Sequence, residues 1–302
     1  MSVSEKGVLA RPASGELDHE RPLLMIDEIF YRNINILLPL IPDHPAILMK
    51  ETEETMNRNR YLILDEIRGL AILNMIAYHA CWDLVYMFGQ NWAWYQSDAA
   101  YIWQQGICWT FIFLSGFCLP LGKRKVRRGL TVFVCGLVIT AVTLLVMYDD
   151  RVIFGVLTLI GSAMLLTAFA EPLLKKCPPA VGFTVSFLLF LLTKRINSGY
   201  LGFGTFKLLA LPKGLYRNLF TTYLGFQASG FYSTDYFSLI PWLFLFLAGF
   251  YLYALAQKKD CLRYLTNGKL KPLQILGQHS LPIYMVHQVL LYAVFSVVFY
   301  VI

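Results

Sequence analysis

The feature that most constrains the fold is a series of apolar segments, each of about 20 residues, that recurs from residue 61 to the C-terminus. A helix of that length can cross the hydrocarbon core of a membrane. Hydrophobic residues make up 57% of the 302 positions and charged residues only 15%, too few for a soluble domain of this size. The sequence therefore predicts an all-α, polytopic transmembrane helix bundle.

We predict seven such spans. Their expected limits are Tyr61–Phe88, Tyr101–Leu121, Leu130–Met147, Val152–Ala170, Val181–Leu192, Phe237–Ala256 and Ile275–Val301. The segment between the fifth and sixth spans is rich in glycine and aromatic residues. Its stretches 206–211 and 216–223 are expected to lie along the membrane interface or to re-enter the protein, and an eighth span hidden there is the alternative count.

The basic residues indicate how the spans are oriented. They cluster in the loops around 123–128, 175–176 and 258–271, which seven alternating spans bring to one side of the membrane. Cytoplasmic loops carry an excess of Lys and Arg, so we expect these loops and the N-terminus in the cytoplasm. Helix orientation thereby accounts for the net charge of +7, and no nucleic-acid partner is predicted. Membrane lipid is the expected surrounding.

The first 57 residues differ in composition from the rest of the chain. They contain five prolines, and the apolar run Ile34–Leu48 is too short and too often broken by proline to span a membrane. We expect residues 1–57 to be a disordered or amphipathic tail, or else a start-site artefact, because Met56 stands directly before the basic run 57–60. Residues 58–302 form the transmembrane domain in this prediction.

The first span carries a stripe of ionisable side chains. Arg68 and His79 are eleven residues apart, about three helical turns plus 20°, so they share one helix face at a separation of about 16 Å. Asp65 precedes Arg68 by three residues and Asp83 follows His79 by four, which extends the stripe at both ends. Ionisable groups inside a bilayer are costly and usually face a protein interior or a water-filled cavity. The stripe therefore predicts a path for a reaction or for transport.

His79 is the candidate general base in this stripe. Asp83 lies one turn further on, where it can accept a hydrogen bond from one imidazole nitrogen and leave the other to take a proton from a substrate. Both residues are therefore predicted to be catalytic. The alternative is a structural hydrogen bond that only holds the helix.

Arg68 and Asp65 lie at the cytoplasmic end of the same span. They can form an ordinary ion pair at a helix start, or Arg68 can bind the phosphate or carboxylate of an anionic substrate. Gly69 beside Arg68 permits the close approach of a ligand or of another backbone. We predict Arg68 and Asp65 as binding residues for the substrate that enters from the cytoplasm.

The last span contains a second polar group. Tyr284 and His287 are three residues apart on one helix face, at a depth that a cofactor arm from the cytoplasm can reach. Both are therefore predicted to bind that arm. His279 is nearer the interface, where a capping or snorkelling role is the expectation.

Other marked residues in the spans are expected to serve packing. The six cysteines occur singly, without a C-x-x-C pair, and indicate small core residues; no disulfide and no metal site is predicted. Ser115 and Gly116 in the second span suit a close approach between two helices.

These residues resemble those of a known family. The block Leu64-Asp65-x-x-Arg68-Gly69-Leu-Ala-Ile, followed by His79, is similar to the first-helix signature of integral-membrane acyltransferases. It resembles the catalytic domain of heparan-α-glucosaminide N-acetyltransferase and its bacterial relatives, long classed as a domain of unknown function. The Arg-x10-His spacing also matches the wider membrane acyltransferase-3 group, which O-acetylates glycans. Further similar blocks follow in order: Phe111–Gly116, Phe154–Gly161, Ile240–Trp242, Ala248–Gly249, and Ser280–Tyr284 with His287.

The resemblance implies transfer of an acetyl group from cytoplasmic acetyl-CoA, the co-substrate, to a glycan or other small-molecule acceptor across the membrane. His79 would be the base or a transient acyl acceptor, and Arg68 the anchor of the donor. The lysosomal members carry asparagine in place of His79 and a catalytic histidine in the loop after the first helix, whereas this chain has no histidine between His79 and His279. The Arg-x10-His group is therefore the better guide.

The same resemblance implies a setting for the protein. A chain of this kind is expected in the bacterial plasma membrane, with a sugar of the cell envelope as the acceptor. Its amine and its hydroxyl groups both remain candidate sites of acylation. A dimer is one option for the assembly, whose order the sequence leaves open.

Two other classes of function fit the polar stripe. A proton-coupled transporter could use the Asp, Arg, His and Asp side chains to relay protons or to bind an anionic or sugar-linked solute. The sequence shows no inverted repeat and no pair of broken helices that would favour such a transporter. A membrane partner protein, in which the stripe stabilises an assembly, is the third hypothesis. Acetyl-CoA dependence distinguishes the enzyme from both.

Overall fold

The computed structural model describes residues 61–300 of the chain. The tail predicted over residues 1–57 lies outside the described residues. Nine α-helices are described. In chain order they are α1 (Leu62–Trp82), α2 (Asp98–Cys118), α3 (Lys125–Val146), α4 (Val156–Leu174), α5 (Pro179–Thr193), α6 (Leu219–Leu224), α7 (Leu239–Lys258), α8 (Lys271–Gln278) and α9 (Ser280–Tyr300).

Seven of these helices, with their short extensions, are long and apolar enough to cross a membrane, which confirms the predicted count. The seven segments are Leu62–Met87, Asp98–Leu121, Lys125–Val146, Val156–Leu174, Pro179–Ser198, Leu239–Lys258 and Ser280–Phe299. No eighth segment of this kind occurs among residues 61–300. Because the spans alternate in direction, α1 begins at the same end of the bundle at which α2 ends and α3 begins. We refer to it as the Arg68 end and to the other as the opposite end.

The long connection between α5 and α7 lies at the opposite end. It contains an antiparallel hairpin of β1 (Tyr200–Phe203) and β2 (Phe206–Ala210), in which Tyr200 is opposite Ala210 and Phe203 is opposite Phe206. All residues of β2 are exposed, so this stretch does not re-enter the protein. The short helix α6 follows, and Asn218 caps it by accepting a hydrogen bond from Thr221 N at 2.9 Å. This hairpin is the one departure from the predicted all-α fold among the described residues.

The main core lies between α2, α4, α5 and α7. Phe190 of α5 and Phe246 of α7 are completely buried there, with Ile112 of α2 and Leu159 of α4 beside them. Such side chains are apolar throughout, so they pack without any need for hydrogen-bond partners. Two of the buried ionisable residues, Asp83 and His287, lie outside this core, where α1 meets α9.

Two glycines bring α2 and α7 into backbone contact. A Cβ atom at Gly116 would lie 1.9 Å from the carbonyl oxygen of Phe246, and one at Gly249 would lie 2.0 Å from that of Phe113. Small residues allow membrane helices to approach this closely. The predicted packing role of Gly116 is confirmed.

A second close contact joins α8 to α1. A Cβ atom at Gly69 would lie 1.9 Å from the carbonyl oxygen of Leu273, and one at Gly277 would lie 1.9 Å from that of Asp65. Glu66 adds two hydrogen bonds, accepting from Leu270 N at 2.6 Å and from the side-chain amide of Gln274 at 2.9 Å. The partner of Gly69 is thus another backbone, one of the two options that the sequence left open.

The last predicted span began too early. We expected it to start at Ile275, but residues 271–278 form the separate helix α8, and the spanning helix α9 begins at Ser280. At His279, between them, the backbone leaves the helical conformation with φ −101° and ψ 21°. The glycine contacts hold α8 against α1, so the chain has to change direction before it can cross the membrane.

We expect Gly249→Ala to lower stability, because its methyl group overlaps the backbone of Phe113 and the helices would have to separate. Overpacking of this kind typically costs about 1–3 kcal/mol. The measurement is thermal unfolding of the detergent-purified protein. Gly106→Ala is the matched control, since a Cβ atom at Gly106 of α2 meets nothing within 4 Å. Equal melting temperatures for the two variants would contradict the packing role.

Candidate functional site

The structure brings His79 of α1 and His287 of α9 together. Their ring centroids are 5.0 Å apart, and the ring planes are inclined by 61°. His287 is buried, whereas His79 is partly accessible. The sequence had placed these residues in separate groups, one catalytic and one for cofactor binding, but they form a single imidazole pair inside the membrane-spanning region.

The hydrogen bonding of His287 determines its tautomer. Its Nδ1 atom lies 2.7 Å from the carbonyl oxygen of Tyr284. A carbonyl oxygen can only accept, so Nδ1 carries the proton and Nε2 keeps a free lone pair. Nε2 is buried and has no hydrogen-bond partner among the described residues. His287 therefore presents a fixed, unpartnered acceptor in the interior of the protein.

Tyr284 connects this pair to the loop before α7. Its hydroxyl group donates a hydrogen bond to Asp235 Oδ2 at 3.4 Å, and the same oxygen accepts from Val156 N, at the start of α4, at 3.3 Å. Burial raises the pKa of the Asp235 carboxyl, and these two hydrogen bonds oppose that rise. Asp235 thus holds Tyr284 and the first turn of α4 together at the opposite end.

Asp83 does not bind His79 as predicted. It is completely buried, with 0% of its surface exposed, and its Oδ1 atom accepts a hydrogen bond from the side-chain amide of Gln288 at 2.5 Å. Its Oδ2 atom has no partner within residues 61–300. The regular helix gives way to a π-helical turn at Asp83–Met87. The α1 spacing on which the prediction depended therefore ends at Asp83, and α9 supplies the partner instead.

A chain of aromatic rings connects His79 to the surface at the opposite end. Tyr78 lies next to His79 and 5.3 Å from Trp103, which in turn is 6.3 Å from Trp94, as measured between ring centroids. Trp94 stacks on Trp92 at 6.2 Å, and both rings are exposed. Exposed tryptophans are typical of a membrane interface. The imidazole pair is therefore close to the interface that lies furthest from Arg68.

Arg68 lies at the other end of α1. Its guanidinium forms an ion pair with Asp65 at 2.9 Å and donates a hydrogen bond to Cys118 Sγ at 3.0 Å, at the end of α2. Arg128, near the start of α3, is within electrostatic range of Arg68 and Cys118 and has no ion pair within residues 61–300. A Cβ atom at Gly122 would lie 1.8 Å from Arg128 Nη1, so this guanidinium folds back over the α2–α3 turn. Of these two guanidinium groups, only that of Arg68 is paired with a carboxylate within residues 61–300.

The predicted site residues therefore divide into two groups. The ring of His287 contacts the rings of both His79 and Tyr284, and Asp83 is bound to the neighbouring Gln288. Arg68 and Asp65 are remote from them, by about 16 Å along α1. His279 is exposed and its Nδ1 lies 2.9 Å from the carbonyl oxygen of Ile275, consistent with the expected capping role.

Sequence reasoning missed several members of both groups. Gln288 was detectable, because it is a polar residue inside an apolar span and follows directly on His287. Arg128 was recognised only as one of several basic residues in a loop. Asp235 gave no signal, because it lies in a polar, glycine-rich connection. No group of three or more His, Cys, Asp or Glu side chains that could hold a metal ion occurs in the described part of the chain.

Comparison with known proteins identifies the family of this chain. Residues 60–289, well over half of the sequence, match the family model described as "Heparan-alpha-glucosaminide N-acetyltransferase, catalytic". The chain belongs to this family. No curated protein and no solved structure gives a significant match. The match begins at the start of α1 and includes both the Arg68 group and the imidazole pair, which confirms the family resemblance found in the sequence.

Family membership and fold together define the class of the protein. Its seven apolar helices make it a multi-pass membrane protein, and its family makes it a membrane acetyltransferase. Members of this class use acetyl-CoA as the donor. The imidazole pair inside the membrane region and the guanidinium groups at the Arg68 end are both compatible with that chemistry.

We expect Gln288→Leu to destabilise the protein, because it leaves the buried carboxyl group of Asp83 without a hydrogen-bond donor. An unsatisfied buried acceptor costs about 1–3 kcal/mol. Thermal unfolding in detergent measures the loss, with Gln278→Leu, at an exposed position of α8, as the control. The double variant Asp83→Leu with Gln288→Leu should recover much of the loss, because it removes both polar partners. A double variant as unstable as the sum of the single variants would contradict this interpretation.

Proposed function

We propose that this protein transfers the acetyl group of acetyl-CoA, bound at the Arg68 end, to an amine or hydroxyl group of a sugar that reaches the opposite end. The observation that carries the proposal is the pair of His79 and His287, in which a buried imidazole nitrogen has no partner within residues 61–300. A buried group of this kind is costly in a membrane protein unless a substrate uses it.

The Arg68 end suits the anionic part of the donor. Arg68 and Arg128 approach one another although their charges repel. Of the two, only Arg68 has a carboxylate partner in the described part of the chain. Guanidinium groups bind phosphate oxygens in a bidentate manner and remain charged at all relevant pH values. We assign the phosphates of acetyl-CoA to these two residues. The acetyl thioester then has to reach about 16 Å along α1 to His79.

His79 acts as the base in this proposal. As the acceptor amine or hydroxyl attacks the thioester carbonyl carbon, His79 takes its proton, the carbon–sulfur bond breaks, and the proton is passed to the thiolate of CoA. The products are the acetylated sugar and free CoA.

His287 takes the orienting role that the sequence gave to Asp83. Its Nε2 lone pair can accept a hydrogen bond from the ring N–H of His79, because catalytic hydrogen bonds often tighten only when a substrate is bound. Asp83 contributes one step further away, by holding Gln288, the residue that follows His287 in α9.

The setting of the reaction follows from the charges. The basic loops at the Arg68 end favour the cytoplasmic side, so the donor would come from the cytoplasm and the acceptor from the outer side. A sugar of the bacterial cell envelope is the acceptor that fits this arrangement, with the plasma membrane as the location.

We expect His79→Ala to reduce acetyl transfer to glucosamine by about 10²–10⁴-fold, the usual contribution of a general base. His287→Ala should cause a smaller loss, and His287→Gln should restore part of it, because an amide oxygen can also accept a hydrogen bond. Release of CoA measures the rate, and calorimetry should show unchanged acetyl-CoA binding. Full activity of His79→Ala would exclude it as the base.

Arg68→Ala and Arg128→Ala should each weaken acetyl-CoA binding by about tenfold or more, since a charge-assisted hydrogen bond contributes about 1.5–3 kcal/mol. Calorimetry on detergent-purified protein provides the test, and the neighbouring exposed Arg127→Ala is the control. Acetyl-pantetheine, which lacks the nucleotide phosphates, should bind all variants alike. Failure of the intact protein to bind acetyl-CoA would favour the transporter hypothesis.

A further inference from the structure

A cavity of about 360 Å³ lies at the opposite end of the bundle, away from the Arg68 group. It is formed by the turn between α3 and α4, the start of α6 and the loop that follows α6. Arg151, Arg217, Asn218, Ser229, Gly230 and Tyr232 are among the residues that line it. Neither the family match nor the proposed mechanism assigns a role to this cavity.

The cavity is electropositive. Arg151 and Arg217 both line it, no carboxylate does, and neither arginine has an ion pair within residues 61–300. Asp149 and Asp150 directly precede Arg151 in the chain but do not belong to the wall. Two arginines around one concave surface, without a counter-charge in that surface, are an arrangement suited to an anion.

Aromatic contacts hold Arg151 in place. Its guanidinium carbon lies 4.6 Å from the ring centroid of Tyr148 and 5.3 Å from that of Tyr232, and Nη1 donates a hydrogen bond to the carbonyl oxygen of Tyr148 at 3.0 Å. A guanidinium held against rings loses less conformational entropy when it binds a ligand. The arginine is therefore preorganised, and part of its hydrogen-bonding capacity remains available.

We infer that this cavity binds an anionic oxygen group, a phosphate or a carboxylate, carried by the acceptor sugar. The inference rests on the proposed function, because it identifies the cavity as part of the acceptor site. A phospholipid headgroup has the same chemistry, but the connection of the cavity wall to the imidazole pair favours the acceptor.

That connection is a short series of hydrogen bonds. Thr234 N donates to the carbonyl oxygen of Arg151 at 3.1 Å, and Ile153 N donates to Ser233 Oγ at 2.9 Å. Asp235, which follows Thr234 in the chain, accepts a hydrogen bond from the hydroxyl group of Tyr284. The carbonyl oxygen of Tyr284 in turn fixes the tautomer of His287. The segment 229–235 therefore contributes both to the cavity and to the support of the imidazole pair.

The test compares binding of glucosamine 6-phosphate and of glucosamine by calorimetry, without acetyl-CoA. Wild-type protein in phospholipid-free detergent should bind the phosphorylated sugar about tenfold more tightly. Arg151→Gln and Arg217→Gln should each remove most of that preference. Lys207→Gln is the control, because Lys207 is an exposed cation of the same connection, lies 5.2 Å from the ring of Tyr200, and does not line the cavity.

Two results would overturn the inference. One is equal binding of the two sugars by the wild-type protein, or a preference that survives both arginine substitutions. The other is that the substitutions leave sugar binding unchanged and lower only the amount of anionic phospholipid retained by the protein, as measured by native mass spectrometry. That result would make a lipid headgroup the occupant of the cavity. Failure to acetylate glucosamine in the same preparation would count against the proposed function alone, because the binding assay contains no donor.

Discussion

The backbone contact between α8 and α1 determines where the reactive groups of this protein lie. Gly69 and Gly277 leave no room for a methyl group, so α8 can occupy only one position along α1. The spanning helix α9 begins two residues after α8 ends, and its starting height is therefore fixed as well. Seven residues later His287 faces His79. The alignment of two imidazoles from opposite ends of the sequence thus depends on two residues without side chains.

The polar groups near Arg68 and those around His287 differ in which of them have partners. Near Arg68 the acidic groups are paired, as the Arg68–Asp65 pair and the link of Lys125 to Glu171 at 2.6 Å show, and a cation, Arg128, is left without a carboxylate within residues 61–300. Around His287 it is acceptors that are left over, since one oxygen of Asp83 and one imidazole nitrogen lack partners within residues 61–300. Hydrocarbon offers no compensating hydrogen bonds. A substrate or water molecule that enters the protein can therefore form new hydrogen bonds with the unpartnered groups around His287.

Much of the fold was predictable, because the length and apolarity of the spans determine them directly. The site was predictable only within single helices. Periodicity placed Arg68 and His79 on one face, but it could not reveal that His287, from a distant part of the sequence, completes the pair. The Asp83 prediction failed because the i, i+4 rule assumes a regular helix, which gives way to a π-helical turn at that residue. Arg151 and Arg217 are brought together only by the tertiary structure.

The chain of aromatic rings beside His79 has an optical consequence. Three of the six tryptophans, Trp92, Trp94 and Trp103, belong to that chain. Indole emission changes with the polarity of its surroundings, so the fluorescence of these three side chains depends on what occupies this end of the bundle. Trp109 and Trp242 pack against Phe190 in the core, at 4.7 and 5.5 Å, and supply a steadier background. The protein thus contains an intrinsic spectroscopic reporter next to its imidazole pair.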